Sequence, residues 1–200
     1  IGGRTTSEIS KMYPTLFTPA GITFAIWGLI YTALGIYSIL QLLKTSDRVV
    51  RKVGWPFLVS CLFNIAWTFA WQNDSILLAL IIILMLWITL WIIDQRVKNE
   101  GVFVRSIFAV YYAWITVATI ANAFVLATKI NPDGYDSVTS QFFVMLALAL
   151  VTILAVTRNM KDRNIAYALT MIWAIAGILI THISSDGYDG RYPAVVFVGI

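Results

Sequence analysis

Two asparagines stand inside long apolar stretches and are the clearest candidates for binding chemistry in this sequence. Asn64 lies in the run Phe-Asn-Ile-Ala-Trp over 63–67, and Asn122 ends a run that begins at Tyr111 and contains Trp114. An amide in hydrocarbon is costly unless it is hydrogen bonded, so each should face another helix or a ligand inside the protein. Because indoles accompany both amides, the pattern predicts an aromatic cavity between helices.

The usual catalytic and metal-binding sets do not occur in the sequence. His182 is the only histidine, and no cysteine or carboxylate cluster stands near it at metal-ligand spacing. No glycine-rich phosphate loop precedes a helix. Lys129 falls at the end of an apolar segment, which excludes a retinal Schiff base on a mid-helix lysine. No carboxylate or arginine is clearly buried in the apolar segments, which argues against an ion-coupled pump. We therefore expect a protein that is not an enzyme and requires no cofactor.

Composition places the chain in a membrane. Hydrophobic residues make up 60% of it, charged residues only 12%, and the mean hydropathy is +0.81, whereas about a quarter of a soluble domain is charged. The net charge of +4 comes from cations in short runs between apolar segments, which is typical of topology signals and not of nucleic-acid binding. A single cysteine, Cys61, excludes a disulfide framework.

Apolar segments long enough to cross a bilayer recur along the chain, and they predict an all-α, polytopic membrane protein. The predicted segments are 17–43, 54–71, 76–93, 104–127, 138–156 and 165–183, with an apolar tail at 192–200 that should begin another helix. Residues 1–16 are expected to form an irregular loop. Pro56 is expected at the start of its helix, where its missing donor does no harm. Because the chain starts without methionine, we expect that a preceding segment was removed.

Loop charges support this segmentation. The loops 44–52, 96–105 and 158–163 hold Lys44, Arg48, Arg51, Lys52, Arg96, Lys98, Arg105, Arg158, Lys161 and Arg163, and the alternate loops hold only Arg4, Lys11, Lys129 and Arg191. The positive-inside rule therefore places the three basic loops on the cytoplasmic, matrix or stromal side.

The alternate loops carry a repeated Asp-Gly-Tyr-Asp motif, at 133–136 and 186–189. We expect turns whose aspartates cap the next helix. A divalent-cation site is the alternative, but two carboxylates without further oxygen ligands make a weak one.

Seven of the eight tryptophans fall into two groups. Trp55, Trp87 and Trp91 are expected to anchor at the interface or to contact lipid. The others fall at mid-membrane or towards the side of the N-terminal loop. Their faces would form a pocket with flat aromatic walls, capped by the loop 5–19. Core packing alone is the alternative. This second group comprises Trp27, Trp67, Trp71 and Trp114, with Tyr31, Asn64 and Asn122 beside them.

Three motif blocks carry a family resemblance. They are Trp27-Gly28-Leu29-Ile30-Tyr31, then Phe63, Asn64 and Trp67, and finally Tyr111, Trp114, Ala118, Thr119 and Asn122. In this order and spacing they resemble the translocator protein / tryptophan-rich sensory protein family (TSPO/MBR), over roughly residues 5–128.

The resemblance implies a five-helix bundle whose first helix would precede Ile1, with 17–128 as the bundle and 129–200 as additional transmembrane helices. It also implies a cavity that binds tetrapyrroles or sterols and is closed by the first loop. The candidate ligand-binding residues are Trp27, Tyr31, Asn64, Trp67, Trp71, Trp114, Thr119 and Asn122.

Departures from the family pattern leave three functions open. Gly21-Ile22-Thr23 replaces a Trp-x-Phe of the short members, and Val110 replaces a proline. A receptor for a tetrapyrrole or other flat hydrophobic ligand, acting in sensing or transport, is the leading hypothesis. The alternative is a non-catalytic subunit of a larger membrane assembly, touching pigment or lipid, and a homodimer is a further possible partnership. A light-dependent porphyrin-degrading enzyme comes third, because the first loop has no indole. An open pocket would favour the receptor and a filled one the subunit.

Overall fold

Helices make up most of the part of the chain that the structure describes. A computed structural model covers residues 5–43 and 47–200, and no strand occurs among them. The helices are α1 (Thr6–Met12), α2 (Ile26–Leu43), α3 (Asp47–Gln72), α4 (Ile76–Val97), α5 (Val102–Ile130), α6 (Val138–Asp162), α7 (Ile165–Ile183) and α8 (Pro193–Gly199). Short 3-10 turns cover Gly21–Ala25 and Pro132–Gly134. Within the described ranges six helices, α2 to α7, are long and apolar enough to span a membrane, which confirms the predicted fold class.

Helix α5 is the centre of the bundle. It packs against α2, α4 and α7, and α3 packs mainly against α4. More than half of its membrane-spanning stretch is buried, 56% against 28–39% for the other spans. Helix α6 packs instead against α7 and α8, at the side of the bundle. The motif residues that α5 carries are therefore held by neighbours on several sides.

The predicted boundary of the second segment was wrong, because α3 begins at Asp47 and Pro56 lies inside it. A proline inside a helix leaves the carbonyl four residues earlier without its donor. Here that carbonyl belongs to Lys52, and the Arg96 guanidinium of α4 donates to it at 3.0 Å. A side chain from the neighbouring helix thus replaces the missing backbone bond, as proline within a membrane helix requires. Residues 44–46 of the basic loop 44–52 lie outside the described residues.

The N-terminal loop is more regular than predicted. Thr5 and Glu8 form a capping box: the Glu8 amide donates to the Thr5 hydroxyl at 3.2 Å, and the Thr5 amide donates to the Glu8 carboxylate at 2.5 Å. This Thr-x-x-Glu spacing starts helix α1, whose Ile9 is buried against the bundle. The predicted loop 1–16 is irregular only after Met12 in the described part, and residues 1–4 lie outside it.

The first segment was predicted from residue 17, but α2 begins only at Ile26, after the 3-10 turn Gly21–Ala25. The remaining spans begin and end near the predicted positions. Helices α4, α5 and α6 extend beyond their apolar segments by up to six residues, since polar residues continue each helix towards water. Helix α7 has the predicted bounds, whereas the tail at 192–200 forms only the short α8.

A buried ion pair lies where no buried charge was expected. The Asp94 side chain is 1% exposed, and its Oδ2 lies 2.5 Å from Nη2 of Arg158 on α6. Arg158 also contacts Asp162 at 3.0 Å and lies over the ring of Tyr167. The apolar pattern predicts a segment that stops at residue 93, one residue short of Asp94, whereas α4 continues to Val97 and includes this carboxylate. The pair ties α6 to α4 at the end of the bundle that carries the basic residues, which we call the basic end.

Two other local predictions need correction. Trp87 does not contact lipid alone: its indole donates to the Thr116 hydroxyl at 2.9 Å, because it lies on the face of α4 that meets α5. Trp55 and Trp91 are exposed, as expected.

The Asp-Gly-Tyr-Asp motifs form turns, but Ser137 and not an aspartate caps α6, through a 3.1 Å bond from the Ser140 amide. Within the described residues no group of three metal-ligating side chains occurs.

The ion pair between α4 and α6 should be the most sensitive charged contact in the bundle. Replacing Asp94 by leucine leaves Arg158 with Asp162 as its remaining ion-pair partner, so the loss should be about 3 kcal/mol of unfolding free energy, at the low end of what breaking a buried pair costs. The double variant Asp94→Leu/Arg158→Met should recover most of this loss. The more exposed pair between Lys52 and Glu100 supplies the control, since Glu100→Gln should cost about 1 kcal/mol or less. Denaturant titration of the detergent-purified protein measures all three, and equal losses for the two single variants would contradict the assignment.

Candidate functional site: an aromatic cavity under the N-terminal segment

Four aromatic rings of α2 and α3 form a continuous stack along the bundle. Trp27 stacks on Tyr31 at 5.3 Å and on Trp67 at 5.7 Å between ring centroids, and Trp67 stacks on Trp71 at 5.8 Å. The one-turn spacing within each helix places its two rings on one face. The predicted convergence of these rings is therefore present in the fold.

Helix α5 closes this stack from the side with rings in edge-to-face contact. Trp114 and Tyr111 meet the Trp27 ring at 6.2 and 6.4 Å, and Phe24 of the 3-10 turn meets Trp114 at 6.0 Å. Such T-shaped pairs are a favoured aromatic geometry. The result is a box whose walls are ring faces and ring edges.

Both asparagines find hydrogen-bond partners on other helices. Asn64 donates to the Tyr111 hydroxyl at 2.6 Å and accepts from the Tyr31 hydroxyl at 3.1 Å. Asn122 accepts from the Trp67 indole at 3.3 Å. These bonds join α2, α3 and α5 at membrane depth, where an unpaired amide would be expensive.

The cavity inside this box is small. Its volume is about 30 Å³, which is room for one or two water molecules. Trp27, Trp67, Trp71, Trp114 and Asn122 line it, together with apolar residues of α5 and residues of the N-terminal segment. No charged residue occurs among these lining residues. The indole Nε1 of Trp114 is buried and has no hydrogen-bond partner in the described part of the chain.

Three predicted site residues lie outside the cavity lining. Tyr31 and Asn64 form the hydrogen-bonded layer towards the basic end. Thr119 faces another side of α5, where its hydroxyl donates to the Ile115 carbonyl at 2.7 Å and it lines a separate groove. Five of the predicted residues thus line the aromatic cavity. Tyr31 and Asn64 lie next to it on the side of the basic end, and Thr119 is not part of it.

The N-terminal segment 5–25 forms a lid over the cavity. Thr6 and Ser10 of α1 and Pro19 line the cavity, and the Trp71 indole donates to the Thr6 carbonyl at 3.3 Å. The Tyr13 hydroxyl donates to the Asp74 carboxylate at 2.5 Å, beyond the end of α3. Burial and this hydrogen bond raise the pKa of the Tyr13 hydroxyl above its ordinary value, so it remains a donor.

Sequence reasoning missed the residues that hold the lid. Besides Tyr13 and Asp74, Lys129 of α5 contacts the Asp74 carboxylate at 2.7 Å. His182 of α7 is fully buried, and its Nε2 lies 2.8 Å from the Leu16 carbonyl. These partners are 55 or more positions apart in sequence, and no local spacing signals such contacts.

A family comparison agrees with this geometry. A family model described as TSPO-like protein matches the chain over residues 1–200. The chain belongs to the TSPO-like family. This match extends beyond the motif blocks and includes α6, α7 and α8, so the additional helices are part of what this TSPO-like chain shares with its family. Searches of curated proteins and of solved structures gave no match.

The asparagine of the second motif block in this TSPO-like protein should be tested by a double-variant cycle. Asn64→Leu leaves the Tyr111 hydroxyl buried without a partner, which should cost about 1–3 kcal/mol of unfolding free energy. Asn64→Leu/Tyr111→Phe removes both polar groups and should recover part of the loss. Asn73→Leu, at an exposed amide just beyond α3, serves as the control and should change little. A cost for Asn64→Leu no larger than for Asn73→Leu would contradict the interpretation.

Proposed function

We propose that this TSPO-like protein binds a flat hydrophobic ligand, a tetrapyrrole or a sterol-like molecule, in the aromatic cavity for sensing or transfer. The observation that carries the proposal is the Trp114 indole N–H, a buried donor without a partner on a wall made of ring faces. Buried donors are normally satisfied, so this one calls for an acceptor supplied from outside the chain. The ring faces offer stacking area to a flat molecule.

Binding of a ligand of this size requires the lid to move. The closed cavity of about 30 Å³ is far below the roughly 300–1,000 Å³ of ordinary ligand sites. Among the polar bonds that hold the lid, those from Trp71 to Thr6 and from Tyr13 to Asp74 secure α1 and the residue after it. Opening the cavity would break these two bonds and lift α1, with its buried Ile9, away from the bundle. A flat ligand would then replace the contacts that the stacked rings make with the lid and with each other.

The lining also restricts the chemistry of the ligand. Because no charged side chain lines the cavity in the described residues, the buried part of the ligand should be uncharged. Any carboxylates of a porphyrin would remain at the mouth of the cavity, where α1 carries the exposed Lys11. The proposal contains no catalytic step.

A second candidate function is favoured by the small volume of the cavity. A site filled by its own side chains fits a non-catalytic subunit of a larger membrane assembly, in which the ring stack is simply a rigid core. Binding measurements separate this function from the first.

Ligand binding should be measured by quenching of tryptophan fluorescence in detergent-purified protein titrated with protoporphyrin, haem and chlorophyllide. Saturable binding at micromolar concentration is expected. Trp114→Phe keeps a ring but removes the unpaired N–H, and should weaken binding about tenfold, as the loss of one buried hydrogen bond implies. The exposed Trp91 of α4 provides the control: Trp91→Phe should leave the affinity unchanged. Empty micelles correct for partition of the ligand into detergent.

Absence of saturable binding by the folded protein would overturn the receptor proposal and favour the subunit. Equal weakening by Trp114→Phe and Trp91→Phe would place the ligand elsewhere on the protein.

The lid itself gives a separate prediction. Tyr13→Phe removes the bond to Asp74 and should raise the rate of ligand association about three- to tenfold, since one hydrogen bond of about 1 kcal/mol no longer holds the lid. Tyr192→Phe is a matched control, because the Tyr192 hydroxyl also bonds an aspartate, Asp136 at 3.4 Å, but Tyr192 lies just before α8 and outside the lid segment. Stopped-flow quenching measures both rates. Identical association rates for the two variants would contradict the assignment of the lid.

A further inference from the structure

A second and much larger cavity opens on the side of the bundle. It is a groove of about 830 Å³ between α4, α5 and α6, at the end opposite the basic end. Leu80 and Leu84 of α4 and Phe143 of α6 form its walls, and Ala123 and Ala127 of α5 form its floor. It shares no lining residue with the aromatic cavity.

The groove follows from the way α6 is held. Helix α6 packs on α7 and α8, and the buried pair of Asp94 and Arg158 ties it to α4 at the basic end. At the other end the small side chains of α5 leave space between α6 and α4. Ala123 and Ala127 are exposed there, and the adjoining Leu84 and Phe143 are 42% and 54% exposed. The groove therefore opens sideways, to the hydrocarbon that surrounds a membrane protein.

The lining changes from apolar to polar along the groove. Towards the loop after α5 it consists of uncharged polar side chains, Asn131, Tyr135, Ser137, Thr139 and Ser140. No charged residue lines the groove in the described part of the chain. Of the neighbouring charges, Lys129 pairs with Asp74 and Asp136 accepts from Tyr192, while the exposed Asp133 is not among the lining residues. Apolar walls below a polar rim match an amphiphile whose tail points into the membrane.

The uncharged polar side chains of the rim indicate which kind of lipid head group the groove would bind. Pockets for anionic lipids between membrane helices are basic, and this rim is not. Hydroxyls and amides both donate and accept hydrogen bonds, which suits a head that carries several hydroxyls. A volume of about 830 Å³ is within the range of well-formed ligand sites.

We propose that this groove binds a glycerolipid with an uncharged sugar head. The sugar hydroxyls bond to the rim between α5 and α6, and one acyl chain lies along Ala123 and Ala127 against Phe143. The site shares no lining residue with the aromatic cavity, although Thr15 of the lid lines the groove, and lipid binding here is tested separately from the proposed receptor function.

Native mass spectrometry of the full chain tests this proposal. The protein, exchanged into detergent with equal amounts of dioleoyl galactosylglycerol, dioleoylphosphatidylcholine, dioleoylphosphatidylglycerol and cholesterol, should retain the galactolipid about tenfold over each of the others. Ala127→Phe fills the floor of the groove and should reduce retention about tenfold. Thr32→Phe places the same ring at an exposed position of α2, away from the groove, and should leave retention unchanged. Ala123→Phe provides a second filling variant if Ala127→Phe does not fold.

The rim is tested by Thr139→Val/Ser140→Ala, which removes two hydroxyls and should reduce the preference for the galactolipid over phosphatidylcholine. Equal retention of all lipids, a preference for phosphatidylglycerol or for cholesterol, or full retention by both folded filling variants would overturn the proposal.

Discussion

Polar side chains at membrane depth must find partners within the protein, and this constraint determines how the bundle is joined. No water is available in hydrocarbon to satisfy an amide, an indole N–H or a carbonyl. Asn64, Asn122 and Trp87 are all satisfied across helix boundaries, each by a residue of α3 or α5. These bonds specify which faces of the helices meet. Hydrophobic contact alone selects the faces poorly, because the surrounding lipid is as apolar as the helices.

The same constraint makes the two ends of the bundle different. At the basic end, Arg96 satisfies the carbonyl that Pro56 leaves free, and Arg158 pairs with the buried Asp94. These are charge-assisted bonds between helices, so this end is firmly closed. At the other end the lid is held by Tyr13, which bonds an aspartate that also pairs with Lys129, and by single bonds to backbone carbonyls. Both cavities lie towards that second end, where motion and access cost least.

Sequence reasoning predicted the helices and most of the aromatic cavity because both depend on local patterns. Apolar length identified the spans, and the three motif blocks contained the rings that stack. The predictions were wrong or incomplete where contacts between distant segments determine the position of a side chain. Asp94 lies one residue beyond an apolar run, so nothing local showed that α6 would bury it. Thr119 was included for its place in a motif block, yet five residues from Trp114 turn it about 140° around α5. The contact of Tyr13 with Asp74 spans 61 positions and leaves no trace in either segment.

The central claim is that a ligand enters the ring stack itself. Fluorine NMR of protein labelled with 5-fluorotryptophan tests it most directly, with each resonance assigned by replacing one tryptophan by phenylalanine. On addition of protoporphyrin the resonances of Trp27, Trp67 and Trp114 should shift or broaden, while those of the exposed Trp55 and Trp91 stay unchanged. Changes confined to Trp55 and Trp91, or no change in any resonance at saturating ligand, would contradict the account.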